Sequence, residues 1–184
     1  MVSIITDKPI INEKYYVRNA ITPGKWQIYA TTVGGFAIDW FRKQFYSEMD
    51  INYLVDFMEN GLKANTVRFL PYLAGDRQSL KKKRGVFSGL TLDSTKENML
   101  SAILIGTQEP IRRTIQISSR FVELNKVIKI TGGLSGDYWL KFKKDMIKGF
   151  DFVCVDNCPS VGNAVMALDY MNGKRDINKI IGGD

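Results

Sequence analysis

Residues 127–139, VIKITGGLSGDYW, constrain the fold more than any other part of this 184-residue chain. An apolar strand runs into Gly132 and Gly133, and an acidic helix start follows at Asp137. Paired glycines let the backbone turn tightly with its amides exposed, and a helix N-terminus favours an anion. Glycine is equally common in strand-to-helix turns that bind nothing. The stretch therefore predicts an α/β unit, and its neighbours must decide between a plain turn and a nucleotide site.

Composition indicates one globular domain over residues 1–184, because 45% of the residues are hydrophobic and 24% are charged. The first residues lack the long apolar region and small-residue cleavage site of a signal peptide. No apolar run approaches the roughly 18 residues of a membrane-spanning helix. We therefore expect a cytoplasmic protein without a membrane partner.

The absence of histidine removes several enzyme classes. Serine–histidine triads, cysteine–histidine dyads and histidine general bases are excluded, so any proton transfer would need a carboxylate, a lysine or a tyrosine. Cys154 and Cys158 are too close for a disulfide framework, and without histidine a structural zinc site is not expected.

The net charge of +7 raises the question of nucleic acid. The densest basic run, residues 81–84, is KKKR, but the other basic residues are dispersed among acids. Aromatic residues do not interleave with the run as stacking platforms would. A solvated basic loop therefore explains the run better than a nucleic-acid surface.

Hydrophobic periodicity predicts strands and helices in alternation. Expected strands cover residues 2–5, 25–32, 66–70, 127–130 and 152–155, and expected helices cover 35–47, 51–61, 94–121, 137–148 and 159–171. Asp50 is a candidate N-cap, and Ser94 with Glu97 has the spacing of a capping box. Pro110 predicts either a kink or two abutting helices. Asn172-Gly173 supplies a stop for the last helix.

Four segments, in this order, resemble the C-terminal half of the FGGY family of carbohydrate kinases, which includes xylulokinase-like and glycerol-kinase-like enzymes. They are PGKW at 23–26 leading to GGFAIDWFR at 34–42, FLPYLAGDR at 69–77, GVFSGL at 85–90, and GGLSGDYW at 132–139. The resemblance implies a ribonuclease H-like fold, shared with actin and hexokinase, in which two domains clasp ATP. The chain has no P-loop, so backbone amides in turns would hold the phosphates of ATP together with magnesium.

The same resemblance assigns nucleotide contacts to six residues. Gly35 and Asp39 match positions near the phosphates and ribose of ATP. Gly132 and Gly133 match the adenosine motif, with Gly133 and Leu134 as backbone contacts, and Asp137 matches a position beside the adenine or ribose. Two of these residues have alternatives: Asp137 could cap its helix, and Asp39 could simply face solvent. The resemblance places no catalytic residue and no metal ligand in this chain.

In the family, an N-terminal half supplies the first phosphate loop, most sugar contacts and the aspartate that deprotonates the acceptor hydroxyl. By comparison, this chain begins beyond these parts, so we expect ATP binding without appreciable sugar kinase activity. The expected partner is an N-terminal kinase domain or subunit, with self-association also possible through an uncovered apolar face. A subunit of a split kinase, an excised domain and a non-catalytic nucleotide-binding or interaction module remain open.

Overall fold

The computed structural model describes residues 1–62, 66–75, 82–133 and 135–173. Within these ranges, strands and helices alternate over much of the chain. The strands are β1 (Val2–Thr6), β2 (Tyr16–Asn19), β3 (Trp26–Ala30), β4 (Arg68–Leu70), β5 (Val86–Ser88), β6 (Val127–Ile130) and β7 (Asp151–Cys154). The helices are α1 (Gly34–Phe45), α2 (Ile51–Asp56), α3 (Lys96–Ser118), α4 (Asp137–Met146) and α5 (Cys158–Met171), and a π-helical turn, Phe57–Gly61, continues α2.

The first sheet is antiparallel with the strand order β1-β3-β2. The central strand β3 places Ile28 opposite both Ile4 and Val17, and the side chains of Ile28 and Ala30 are completely buried. The alternation of apolar residues in β3 predicted this buried face. Strand β2 was not predicted, because its four residues, YVRN, carry too short a pattern to detect.

The other two sheets have two strands each within the described residues. Strands β4 and β5 pair antiparallel, with the rings of Phe69 and Phe87 4.8 Å apart. Strand β5 was not predicted. Strands β6 and β7 pair in parallel, and α4 connects them, which confirms the α/β alternation expected for this part of the chain.

Helix capping follows the sequence, with one correction. The Asp50 carboxylate accepts from the Tyr53 amide at 2.7 Å, so Asp50 is the N-cap of α2. The capping box of α3 lies one residue later than predicted: Thr95 and Asn98 exchange side-chain and backbone bonds at 3.3 and 3.0 Å. The predicted cap, Ser94, instead accepts from the Thr91 amide at 2.9 Å in the preceding turn.

Helix α3 continues through Pro110, so the alternative of two abutting helices is wrong. Proline removes one backbone hydrogen bond within a helix. The helix is nevertheless held on both sides of the proline, because Leu104 is completely buried and Ile115 is 2% exposed. The Thr114 hydroxyl also donates to the Pro110 carbonyl at 2.9 Å. Packing therefore overrides the local cost of the proline.

Two hydrophobic cores lie on different parts of α3. The first joins α1, α2, the π-helical turn, β4, α3 and α4, and it includes the completely buried Phe41 and the 1% exposed Trp139. The second lies against the first sheet and joins Ile28 to Ile111 and Ile115 of α3. Helix α5 contributes to neither core and has no buried residue.

Two smaller expectations concern the end of the chain and membranes. The last helix stops at Asn172-Gly173 as predicted, with Gly173 at a φ of +69°. Within the described ranges, no helix combines the length and apolar character needed to cross a membrane.

Candidate functional site

The turn between β6 and α4 is built around Gly132 and Gly133. Gly132 has a φ of +103°, a conformation that L side chains rarely adopt, so the turn requires glycine there. The Ser135 hydroxyl donates to the Gly132 carbonyl at 2.6 Å and fixes one side of the turn. A Cβ added at Gly133 would meet nothing within 4 Å. The turn therefore presents open backbone to solvent at Gly133, while Leu134 lies outside the described residues.

Asp137 does not cap α4. Gly136 occupies the N-cap position, and no side-chain bond caps the helix. Asp137 is the first helical residue and is exposed. Its charge still lies in the first turn, where the helix dipole favours an acid. The alternative in which Asp137 caps the helix is therefore wrong, and its assignment to adenine or ribose stays a prediction.

The second predicted part of the site lies at the start of α1. Gly35 is the second residue of this helix and is exposed. Asp39, one turn further on, is partly exposed and forms ion pairs with Lys43 at 2.8 Å and Arg42 at 3.2 Å. The hydrogen bond from Lys43, followed by that from Arg42, lowers the pKa of the Asp39 carboxyl below its ordinary value. Asp39 is thus ionised and largely neutralised by its own helix.

The helices that follow the two predicted parts share one hydrophobic core. Ala37, Ile38 and Phe41 of α1 pack in the same hydrophobic cluster as Trp139 and Phe142 of α4. Both turns therefore lie at the N-terminal ends of helices that this cluster positions. Among the residues that the structure describes, no hydrogen bond or ion pair joins the two turns.

A line of polar contacts connects the end of β3 to α4 through the middle of α3. The Thr32 hydroxyl donates to the Thr107 carbonyl at 2.9 Å, and the Gln108 amide donates to the Thr107 hydroxyl at 3.4 Å. Lys143 of α4 then donates to Gln108 Oε1 at 2.7 Å. Burial lowers the pKa of Lys143 to about 8. We call these four residues the polar thread.

The described residues enclose a cleft of about 770 Å³ between α1, α3 and the segment that follows β4. Its walls are mainly apolar and aromatic, and charged side chains stand among them. The lining includes Glu13, Lys14, residues 31–33, Phe36, Trp40, residues 69–75, Lys83, Gly106, Glu109, Pro110 and Arg113. None of the five nucleotide-binding candidates that the structure describes is a lining residue, although Val33 and Phe36 on either side of Gly34-Gly35 are.

Sequence reasoning did not find this cleft as a site. Residues 69–77 form one segment of the family resemblance, and Arg112-Arg113 belong to the basic residues that are dispersed among acids. The structure brings the second of these arginines beside the first segment. The sequence signal for Arg113 was a basic pair close to a proline in a predicted helix. That Arg113 lines the same cleft as Trp40 depends on the tertiary fold.

The described residues do not form a magnesium site by themselves. No group of three or more acidic, cysteine or histidine side chains is positioned to hold a metal within the described part of the chain. Of the two carboxylates in the predicted nucleotide site, Asp39 already pairs with two cations, and Asp137 is a single exposed carboxylate. Hard cations such as magnesium take oxygen ligands, and these residues offer no uncommitted set.

Comparison with known proteins identifies the fold. No protein-family model matches the sequence, and no curated protein sequence matches it either. Among solved structures, a xylulose kinase from Lactobacillus acidophilus matches 98% of this chain with a TM-score of 0.74 and 19% identity. A gluconate kinase from the same organism matches 98% with a TM-score of 0.73 and 20% identity. A glycerol kinase from Plasmodium falciparum, solved with ADP, matches 76% with a TM-score of 0.61 and 18% identity.

These matches confirm, at the level of fold, the resemblance to carbohydrate kinases that the sequence motifs indicated. The chain is a mixed α/β protein whose fold is found in xylulose, gluconate and glycerol kinases. It spans only 38%, 38% and 29% of the lengths of the three structures named above. The shared fold therefore corresponds to a part of those enzymes.

Proposed function

We propose that this chain is the ATP-binding, C-terminal half of a carbohydrate kinase with the ribonuclease H-like ATPase fold. The complete enzyme would transfer the γ-phosphoryl group of ATP to a hydroxyl of a sugar or polyol. The observation that carries the proposal is that 98% of the chain follows the fold of two different sugar kinases. A cytoplasmic location, where ATP is abundant, completes the proposal.

In this proposal the β6–α4 turn receives the adenosine. Gly132 and Gly133 supply backbone without side chains, and the open space beside Gly133 permits close approach of a ligand. The amides at the start of α1, around Gly35, face the phosphates, where a helix N-terminus stabilises negative charge. Leu134 and Asp137 complete the adenosine side by resemblance.

The chemistry of the complete enzyme would be an in-line phosphoryl transfer with magnesium accompanying ATP, which neutralises charge on the phosphates. This chain would bind and orient the nucleotide. The general base, the sugar contacts and the ligands for magnesium would come from an N-terminal domain or subunit. The structure supports this division, because Asp39 is held in ion pairs within its own helix.

A test is calorimetric titration of magnesium-ATP and magnesium-ADP into the chain. Gly133→Val should not strain the fold, because Gly133 has free space around it and does not adopt a positive φ. The matched control is Gly162→Val in α5, another glycine whose added Cβ would meet nothing within 4 Å. We expect binding that Gly133→Val abolishes and Gly162→Val preserves. Equal binding by both variants would remove the adenosine assignment.

A second candidate function is a non-catalytic nucleotide-binding or interaction module derived from a sugar kinase. The absence of an acidic cluster able to hold a metal, within the described residues, favours it. The two functions differ in one assay. Where the upstream reading frame encodes an N-terminal kinase half, mixing the two should restore ATP-dependent sugar phosphorylation if the chain is a kinase half, and should leave the sugar unchanged if it is a module.

A further inference from the structure

Strand β1 forms one edge of the first sheet, and its outer side has no neighbouring strand among the described residues. An edge of this kind carries backbone N–H and C=O groups that can pair with another extended chain. Strand β2 forms the opposite edge of the same sheet. The two edges differ in how well they would accept a partner strand.

The pairing of β2 with β3 determines which residues of β1 face outward. The Ala20 amide donates to the Lys25 carbonyl at 2.9 Å, and these two residues continue the register in which Asn19 lies opposite Trp26. In an antiparallel pair, successive residues alternate between bonding the partner strand and facing away from it. On β3, residues 25, 27 and 29 therefore bond toward β2, and residues 26, 28 and 30 bond toward β1.

Ser3 and Ile5 are consequently the outward residues of β1. The residues of β1 that bond β3 are those opposite residues 30, 28 and 26, namely Val2, Ile4 and Thr6. The backbone N–H and C=O groups of Ser3 and Ile5 point away from the sheet, and they have no hydrogen bond to any described residue. Both residues are exposed, Ile5 by 56%. The outer edge of β1 is therefore open for pairing.

The two edge strands differ in charge. The residues of β1, VSIIT, include no charged residue and no proline, which are features that protect an edge from pairing. If two copies of β2 met as antiparallel strands about a two-fold axis, the outward residues Val17 and Asn19 would pair, and Arg18 would lie opposite its own symmetry copy. Like charges directly opposite each other destabilise a strand pair. Charge therefore protects the edge at β2 and leaves the edge at β1 unprotected.

We propose that β1 pairs antiparallel with β1 of a second copy of this chain, about a two-fold axis at Ile4. Ser3 of each copy would then bond Ile5 of the other, so every outward N–H and C=O of the two residues is satisfied. Ile4 lies opposite its own copy, which covers a side chain that is only partly buried against the second core of a single chain. The product is one continuous sheet of six strands, β2-β3-β1-β1-β3-β2.

The surface is separate from the predicted nucleotide turns, so the proposal does not depend on nucleotide binding. It also differs from docking through the apolar face of α5, because it uses backbone groups of β1. A test must therefore report on individual amides of this strand as well as on the mass of the particle.

The test combines sedimentation velocity of the full chain with amide hydrogen exchange by NMR, over about a hundredfold range of concentration, because mass action governs dimerisation. We expect a reversible dimer. The amides of Ile4 and Thr6 bond β3 and should be protected at every concentration. The amides of Ser3 and Ile5 should become protected only where the dimer predominates. A chain that is monomeric throughout overturns the proposal, and so does a dimer in which these two amides still exchange freely.

A matched pair of proline variants tests the backbone bonds directly. Ile5→Pro removes an outward N–H without removing a bond to β3, and each symmetric pair loses one hydrogen bond in each half. The dissociation constant of the dimer should rise about tenfold or more. Asn19→Pro removes an outward N–H from the edge at β2 and should leave the constant unchanged. Circular dichroism verifies that both variants fold.

A dimer of Ile5→Pro as tight as wild type, or one weakened equally by Asn19→Pro, would contradict the pairing through β1. If Ile5→Pro does not fold, the exchange of the Ser3 and Ile5 amides in the wild-type chain decides the question, since that measurement needs no substitution.

Discussion

Helices α3 and α5 show how differently two apolar helices of one chain can be used. Helix α3 crosses both hydrophobic cores, and Leu100, Ile103 and Leu104 are completely inaccessible to solvent. Helix α5 has apolar residues at Val161, Val165 and Leu168, a spacing that defines one helical face, yet all three are about half exposed. A helical pattern in the sequence therefore predicts that a face will be apolar, and the fold decides whether that face is covered.

The largest expected effect is on the free energy of unfolding, and a matched pair of leucine substitutions tests it. Leu104→Ala should lower the free energy of unfolding by about 2–5 kcal/mol, because it leaves a cavity in the first core. Leu168→Ala should change it by less than about 0.5 kcal/mol, because 56% of Leu168 is already exposed. Urea denaturation of both variants measures the difference. A comparable loss for Leu168→Ala would mean that α5 is covered in solution.

The second prediction compares one glycine in α3 with one in α5. Replacing each with alanine should change stability in opposite directions. A Cβ at Gly106 of α3 would lie 2.3 Å from the Phe69 carbonyl oxygen, so Gly106→Ala should destabilise the fold by about 1–3 kcal/mol through overpacking. A Cβ at Gly162 of α5 would meet nothing, so Gly162→Ala should strengthen the helix by about 0.5–1 kcal/mol. Thermal denaturation for the first variant and amide hydrogen exchange of α5 for the second would measure these changes. A stabilised Gly106→Ala would show that α3 and β4 can separate at no cost.

The third prediction compares the N-cap residues of α3 and α5. Thr95→Ala should cost about 1 kcal/mol, since it deletes the side chain that accepts from the Asn98 amide at the start of α3. Asn157, the N-cap residue of α5, makes no side-chain capping bond and has a φ of +53°. Asn157→Gly should therefore be neutral or slightly stabilising. Circular dichroism melts distinguish the two, and a clear loss for Asn157→Gly would indicate an undetected role of its side chain.

The smallest expected effect is a pH dependence of the free energy of unfolding. It comes from Lys143, which lies in the packed part of the molecule. Burial lowers its pKa to about 8 in the folded chain, from an ordinary value of 10.5. Between these values the unfolded chain holds a proton that the folded chain has released, so stability should rise with pH over this window. Below pH 8 both states hold the proton, and this dependence disappears.

The measurement for Lys143 is urea denaturation at several pH values in wild type and Lys143→Met. The neighbouring charged group is the Met1 amine, whose pKa is also lowered, mainly by its own burial. Since the amine is present in both proteins, the difference between their slopes reports Lys143. Identical slopes would show that Lys143 is solvated in solution.

Much of the fold could be predicted from the sequence, because it depends on local patterns. Alternation identified β1 and β3, and Asp50 marked the start of α2. The ion pairs of Asp39 could also be predicted, because Arg42 and Lys43 follow it at the spacing that brings helix side chains together. Short strands such as β2 carry too few residues for a pattern, and the choice between Ser94 and Thr95 as cap depended on one backbone turn.

The candidate sites also differ in whether local sequence patterns predict them. The glycine turn at Gly132 is visible in the sequence because its residues are adjacent. The cleft is assembled from four distant parts of the chain, represented by Lys14, Trp40, Tyr72 and Arg113. No pattern in the sequence distinguishes Lys143 from the other dispersed basic residues, and only the packing of α4 on α3 shows that it is buried. Such features depend on tertiary contacts and leave no local pattern.

The polar thread has a consequence for the order in which the molecule is completed during synthesis. Its two longest-range bonds join residues 75 and 35 positions apart, and its last member is Lys143. Within the described chain, neither core includes a residue beyond Phe152. A growing chain that has emerged from the ribosome as far as β7 already contains every residue that either core or the thread requires. Helix α5 therefore emerges after every described residue of both cores and of the polar thread.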